Sequence, residues 1–428
     1  MSLSSSQLRW GRVLLILLGV LALLYRFWPV PPNQISITQH PHDWVWDEIP
    51  IIENQTLGFG KVFAINLPNR PDKRDNLVLG SSVCNFQVEF VDGVIPDAIP
   101  PKTYPYNWNP HHTPSEYAAR RAHLNGIRRI VEQGLGSGVI IEDDADWDIN
   151  IKTQLQSFAL AIRGLQGTTN SPTSSPYGDD WDILWLGHCG LECKTNLPYY
   201  QSADDPTVPE ARHFLPYWRE PPPVERPDRS RMVCTAKDAV CTSFYAVSYH
   251  GAQKLLAALS VNPSGLAEEI DIGAQMDVAL GRMCGHGYLR CFAPYPAITG
   301  TFRSAGAAEK GSDIHQEGEG DTVSFASWGM LYSTMLNVQR LLRGQPIKAT
   351  WGDVDKPMMV PEHIGVREGK LYMKTKNGPQ IVETVAVDEK YRSRRAMGMV
   401  IELFIEASSL LHSSPKDIFP AEWEVNMM

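Results

Sequence analysis

The run Gly138-Val139-Ile140-Ile141-Glu142-Asp143-Asp144-Ala145-Asp146-Trp147 constrains this chain more than any other stretch. Three β-branched residues lead straight into four carboxylates within five positions. A short apolar run closed by polar residues is the pattern of a buried strand. The carboxylates then fall at its carboxyl end, the edge of an open α/β sheet where ligands bind. Side chains of like charge this close repel one another, and burying them unpaired is costly. A hard divalent cation held by oxygen ligands relieves both problems. The plainer alternatives are a solvated acidic turn or a structural calcium loop, although the run lacks the glycine that an EF-hand needs at its sixth position.

The flanking sequence alternates between strand and helix patterns. Residues 61–67 read as a strand stopped by Pro68, and Asn69-Arg70-Pro71-Asp72-Lys73-Arg74-Asp75 as a turn entering a helix. Arg70, Lys73 and Arg74 then lie beyond the first strand's carboxyl end, a place suited to phosphates; a solvated charged turn is the plainer account. A second strand, 86–91, ends at Asp92, and a carboxylate there suits the hydroxyls of a ribose. Thr113-Pro114-Ser115-Glu116 predicts a helix start with a capping box. Leu124, Ile127, Ile130 and Val131 form that helix's apolar face, and His123 beside them reads as a packed or surface side chain. Ile151, Leu155, Phe158 and Ile162 mark a second amphipathic helix. Further strands are expected at 181–187, 243–247 and 288–292, with a helix at 251–259. Cys84 is expected in a strand as a free core residue. A second acidic group, Glu268, Glu269, Asp271 and Asp277, precedes the last of these strands. Residues 188–231 have little period and many prolines, and read as a long loop able to cover an acceptor. This order predicts an α/β fold with a mostly parallel sheet. Helices are expected at 325–342 and near 397–411; Glu402 and Glu406 exclude the latter as a membrane span.

The chain has 428 residues, 43% of them hydrophobic, enough for one large domain or two. Its net charge of −9 and lack of a basic tract exclude nucleic acid as the expected partner. Six of its seven cysteines fall late, at 189, 193, 234, 241, 284 and 291, without zinc-finger spacing; in an oxidising compartment some would pair, in a pattern that spacing alone leaves open. Residues 13–24 are uninterruptedly apolar, and the span reaches membrane length if Arg26 snorkels and the aromatics lie at the interface. Arg9 and Arg12 precede it, and no small-residue cleavage site follows, which favours a type II anchor over a cleaved signal peptide. The expected plan is a cytosolic tail 1–12, an anchor 13–30 suited to a thin Golgi or endoplasmic-reticulum membrane, a Pro-rich stem 31–58, a catalytic body 59–320 in the lumen and a C-terminal extension 321–428. Asn54-Gln55-Thr56 is a glycosylation sequon on the lumenal side.

Several ordered segments resemble glycosyltransferase family 25, which includes lipooligosaccharide and procollagen galactosyltransferases. Residues 62–67 with Asn69-Arg70 are similar to its "INL…R…R" opening. Glu116-Tyr117-Ala118, His123-Leu124 and Val139-Ile140-Ile141-Glu142-Asp143-Asp144 resemble its "GE…SHL…ILEDD" core. Residues 181–187 resemble its "WDiiyLG" strand, Tyr245-Ala246-Val247-Ser248 and Gly251-Ala252-Gln253-Lys254-Leu255-Leu256 its "aYliS…GAkkLL" segment, and Ile270-Asp271 with Met276-Asp277 its "piD…mD" segment. The likeness covers about 60–315. Ala122 stands where the family has Ser, and Arg120-Arg121 where smaller residues are common; these departures bear on donor and acceptor preference.

The resemblance implies a membrane-anchored, fungal-type member with a GT-A-type, Rossmann-like domain that binds a UDP-sugar with Mn²⁺ or Mg²⁺ and transfers a hexose, galactose foremost, with inversion onto a glycan or glycoprotein hydroxyl. It places Asp144, and less firmly Asp146, on the metal, with His315 or His286 as a further ligand. It places Glu142, Asp143, Asn66 and Asp92 on the nucleotide sugar, and Arg70 and Arg74 on the diphosphate. Asp271 and Asp277 are its candidate bases. The rival readings are an inactive sugar- or protein-binding module, a metal-dependent phosphohydrolase, and the same chemistry with another nucleotide sugar such as UDP-glucose.

Overall fold

The computed structural model describes residues 49–351, apart from short stretches of which 214–228 is the longest, and strand segments between 361 and 386. The expected anchor, the helix near 397–411 and His315 lie outside the described residues. Among those described, no helix is long and apolar enough to cross a membrane.

Strands β1 (Lys61–Asn66), β2 (Glu89–Asp92) and β3 (Ser137–Glu142) run parallel, with β1 between the other two. Beyond β3 the expected parallel order breaks. Strand β9 (Phe244–Ser248) is antiparallel both to β3 and to β5 (Ile183–Gly187), which it separates. Strand β10 (Cys291–Tyr295) is again parallel to β5, and β8 (Arg231–Val240) antiparallel to β10. The sheet is therefore mixed. The alternating pattern sets which residues are strands, but not their direction, and a strand buried on both faces reads the same either way.

Strand alternation assigns the core. Phe63, Ile65 and Ile140 face one layer, containing helices α2 (Pro114–Glu132), α4 (Tyr249–Leu256) and α5 (Met276–His286). Val62, Ala64, Val139 and Ile141 face the other, with α1 (Pro71–Val83), α3 (Ile151–Gln166) and α6 (Thr334–Leu342). Helix α2 begins where its sequence requires. Thr113 accepts from the Glu116 backbone N–H, and the Glu116 carboxylate accepts from the Thr113 backbone N–H. At Gly80 in α1 a Cβ would meet the end of the Met335 side chain at 2.4 Å, so a larger residue there requires that flexible side chain from α6 to move.

Several expectations change here. The stem overlaps the core, since Ile52 and Leu57 are fully buried. Cys84 caps the end of α1 instead of lying in a strand; it is a free thiol. The expected helix at 325–342 is a strand, Ala326–Trp328, followed by α6 with Ser333 as its N-cap. The expected loop 188–231 contains strands β6 (Gly190–Cys193) and β7 (Tyr200–Ser202) paired with β8, and two of the three disulfides, Cys189–Cys241 and Cys193–Cys234, staple it. Cys284–Cys291 closes the α5–β10 connection.

His188, at the end of β5, is buried. Its Nε2–H donates to the Pro294 carbonyl at 2.7 Å, and Nδ1 has no partner among the described residues. Burial pushes its pKa down to about 4. In the unfolded chain it titrates near 6.5, so between these values the unfolded state binds the extra proton and stability falls as pH falls. Replacing His188→Gln is expected to flatten the acid limb of the unfolding free energy across this window, by on the order of 3 kcal/mol. Urea titrations at stepped pH measure it, and an unchanged slope would contradict the assignment.

Candidate active site

The carboxyl ends of β1, β2, β3, β5 and β10 share one edge of the sheet, and the turn into reversed strand β9 opens at the same edge. Asn66, Asp92, Glu142 and Thr242 are brought together there by register alone. Asp143 and Asp144 form the tight turn between β3 and β4 (Ala145–Trp147), and β4 pairs with β11 (Thr299–Arg303). The Phe302 N–H donates to the Asp144 carbonyl at 2.7 Å, fixing the turn from that side.

The carboxylates have different surroundings. Glu142 Oε1 accepts from the Thr242 hydroxyl at 2.8 Å and lies 3.2 Å from His123 Nε2. His123 is 4% exposed, and its Nδ1 lies 3.0 Å from the Tyr245 hydroxyl. The tautomer that satisfies both contacts donates from Nε2 to Glu142 and accepts from Tyr245. Burial pushes the Glu142 carboxyl up, but His123, Thr242 and the charge of Lys73 outweigh it and hold the group below its ordinary value. Asp143 is also bound on both oxygens, by Lys73 Nζ at 2.9 Å and Asn66 Nδ2 at 3.0 Å.

Asp144 differs. Its Oδ1 is buried without a hydrogen-bond partner among the described residues. Burial pushes its pKa up to about 7, against the pull of Lys73 and with the repulsion of Glu142 and Asp143 added. A buried carboxylate oxygen with no donor is one that a hard cation can satisfy, although the described residues bring no three His, Cys, Asp or Glu side chains together around such an ion. Asp146 faces the other way. It is fully buried, and accepts from the Trp147 N–H at 2.8 Å, the Met335 N–H at 3.3 Å and the Ser333 hydroxyl. It holds the start of α6 and is set apart from the candidate metal oxygens.

The cations are distributed otherwise than their sequence positions suggest. Lys73 is 8% exposed and sits between Asp143 and Asp313, 2.9 and 2.7 Å from their oxygens. Burial alone would lower its pKa, yet Asp144, Asp143 and Asp313 raise it. Arg70 pairs with Asp72 and Asp313. Arg74 is stacked over the Phe90 ring, 4.0 Å from its centroid, and is turned toward β2 instead of the acidic turn. Asp92 ends β2, exposed, opposite Asn66.

The two candidate bases separate as well. Asp271 is exposed and paired with Arg282 at 2.6 Å. Asp277 accepts from the Cys241 N–H at 2.9 Å and from the Val278 N–H at 2.8 Å. Thr242, which follows Cys241, binds Glu142, so a continuous chain of contacts joins Asp277 to the acidic turn. His286 is exposed at the end of α5. Residues missed in the sequence were His123, Thr242, Tyr245 and Asp313. His123 carried a signal, its place in the "SHL" segment, whereas Asp313 had none. At the opposite edge of the sheet a cavity of about 680 Å³ is lined by Ser137, Asp182, Ser248, Lys254 and Arg290, among others. Its charges are paired with one another, Lys254 with Asp182 and Arg290 with Asp180.

The chain is similar to procollagen galactosyltransferase 1 of Danio rerio, 25% identical over 222 residues that make up 48% of this chain and 30% of that protein. It is similar to procollagen galactosyltransferase 1-B of Xenopus laevis, 26% identical over 241 residues, 51% of this chain and 31% of that one. No family model matches. The chain thus spans about a third of the length of the curated relatives it matches, and this distant likeness supports a glycosyltransferase-like family.

Proposed function

We propose that this chain is a metal-dependent, inverting glycosyltransferase that moves a hexose, galactose from UDP-galactose foremost, onto a glycan or glycoprotein hydroxyl in the secretory pathway. The observation that carries the reading is the orphaned, buried Oδ1 of Asp144 among Glu142 and Asp143, at a sheet edge suited to a nucleotide. Similarity to procollagen galactosyltransferases supports the reaction class. Three disulfides suit an oxidising lumen.

In this reading Asp144 would hold Mn²⁺ or Mg²⁺, and Glu142 would serve a bound water or the ribose. The cation's contribution, when bound, is to neutralise charge that grows on the departing diphosphate. His123, Tyr245 and Thr242 fix the Glu142 carboxylate so that it need not reorganise. Asn66 and Lys73 do the same for Asp143. Asp92 offers acceptors for a ribose. Asp277 takes the proton from the attacking acceptor hydroxyl, and we prefer it to Asp271 because Asp271 is engaged with Arg282 at the surface.

The two neighbouring aspartates provide a test with opposite signs. Asp144→Ala is expected to abolish transfer while leaving the melting temperature unchanged or higher, since it removes a buried, unpaired, like-charged group. Asp146→Ala is expected to cost on the order of 3 kcal/mol of stability, because it removes the acceptor of the Trp147 N–H in β4 and of the Met335 N–H and Ser333 hydroxyl at the start of α6. Near-normal transfer by Asp144→Ala would remove the metal assignment.

Chelation is expected to suppress transfer and added Mn²⁺ to restore it. A donor screen of the lumenal body against UDP-galactose, UDP-glucose and other nucleotide sugars, read as nucleotide release, identifies the sugar. Absence of release with every donor would favour a binding module instead.

A further inference from the structure

The knot of charges around Lys73 contains a carboxylate from far along the chain. Asp313, on the segment after β11, meets Arg70 Nη1 with both oxygens, at 2.7 and 2.6 Å, and Lys73 Nζ with one, at 2.7 Å. The Arg70 and Lys73 side chains are 12% and 10% exposed, whereas that of Asp313 is 26% exposed. The cations are thus more deeply set than the carboxylate that bridges them. Arg70 and Lys73 each have a further acidic partner, Asp72 in the first turn of α1 and Asp143 in the turn after β3. Asp72 is held in addition by Lys310 at 2.6 Å. Taking Asp313 away leaves those pairs intact and frees the guanidinium edge and the ammonium that it bridges, with Asp144 still acting on Lys73 from the acidic turn.

A carboxylate bridging a guanidinium and an ammonium presents its oxygens as a phosphoryl group would. We propose that Arg70 and Lys73 form an anion subsite for the phosphoryl oxygens of a nucleoside diphosphate, and that Asp313 is its built-in occupant, displaced when the ligand enters. The ligand class rests on the nucleotide-sugar reading above; the subsite itself rests on these contacts. Of the three cations that sequence position made suitable for phosphates, Lys73 thereby takes the role that the resemblance had given to Arg74, which lies on Phe90. A resident carboxylate also screens the site. A single weakly held anion gains little by replacing Asp313, whereas a diphosphate brings more charge and more acceptors to the same two cations.

The experiment is calorimetric titration of the full chain with inorganic pyrophosphate and, separately, with UDP, at fixed Mn²⁺. Asp313→Asn is expected to tighten pyrophosphate and UDP by up to about tenfold, the factor released when an occupant filling the site about nine-tenths of the time is removed. Asp313→Ala is expected to show the same gain without an added amide, and thermal melting of each variant establishes that it folds. In the double variant Lys73→Met with Asp313→Asn the gain is expected to vanish. Unchanged or weaker pyrophosphate binding in both Asp313 variants, or no pyrophosphate binding in any protein, overturns the proposal. Retained UDP binding with that outcome leaves the nucleotide reading standing without the subsite. The expected pattern with pyrophosphate but no binding of UDP establishes the subsite and removes the nucleotide reading.

Discussion

Crowded negative charge at the end of a buried strand is the constraint around which this structure is arranged. Glu142, Asp143 and Asp144 are forced together by the turn between β3 and β4, and nothing in the backbone separates them. The protein answers the first two with donors, His123 and Thr242 for Glu142 and Lys73 and Asn66 for Asp143. It leaves one oxygen of Asp144 unanswered. An arrangement that satisfies its neighbours and withholds a donor from one buried atom is costly for stability, and such costs are kept where a site needs them.

The supporting residues come from every layer. His123 is brought by α2, whose start is set by the Thr113–Glu116 capping box, and Tyr245 by β9. Lys73 is brought by the first turn of α1, immediately after β1. The reversed direction of β9 has a local use. Running antiparallel between β3 and β5, it begins at the edge where those strands end, so that Thr242 enters beside Glu142. A parallel strand would have delivered its carboxyl end there, and a different set of side chains.

Much of this was legible before the structure. Hydrophobic alternation located the strands bearing Asn66, Asp92 and Glu142, and capping chemistry located α2. What escaped was of two kinds. Strand direction is a long-range property of the chain's path, and the apolar runs of β5 and β9 fit either sense. Side-chain partnership depends on residues distant in sequence: Asp146 reads in the sequence as a metal candidate beside Asp144, and its oxygens accept from Ser333 and Met335, 187 and 189 positions away. Asp313 lies 240 positions from Lys73 in an unremarkable polar stretch. Asp144 lies in the turn and Asp146 in the strand after it, so strand alternation does not relate their directions.

The bond between Cys189 and Cys241 ties the end of β5 to the residue immediately before Thr242, and Cys241 itself holds a left-handed backbone at φ 65°. That residue also donates its N–H to Asp277. One covalent link therefore bears on two contacts: the Thr242 hydroxyl that steadies Glu142 and the Cys241 amide that steadies Asp277. With those sulfurs reduced, both contacts would rest on non-covalent packing alone.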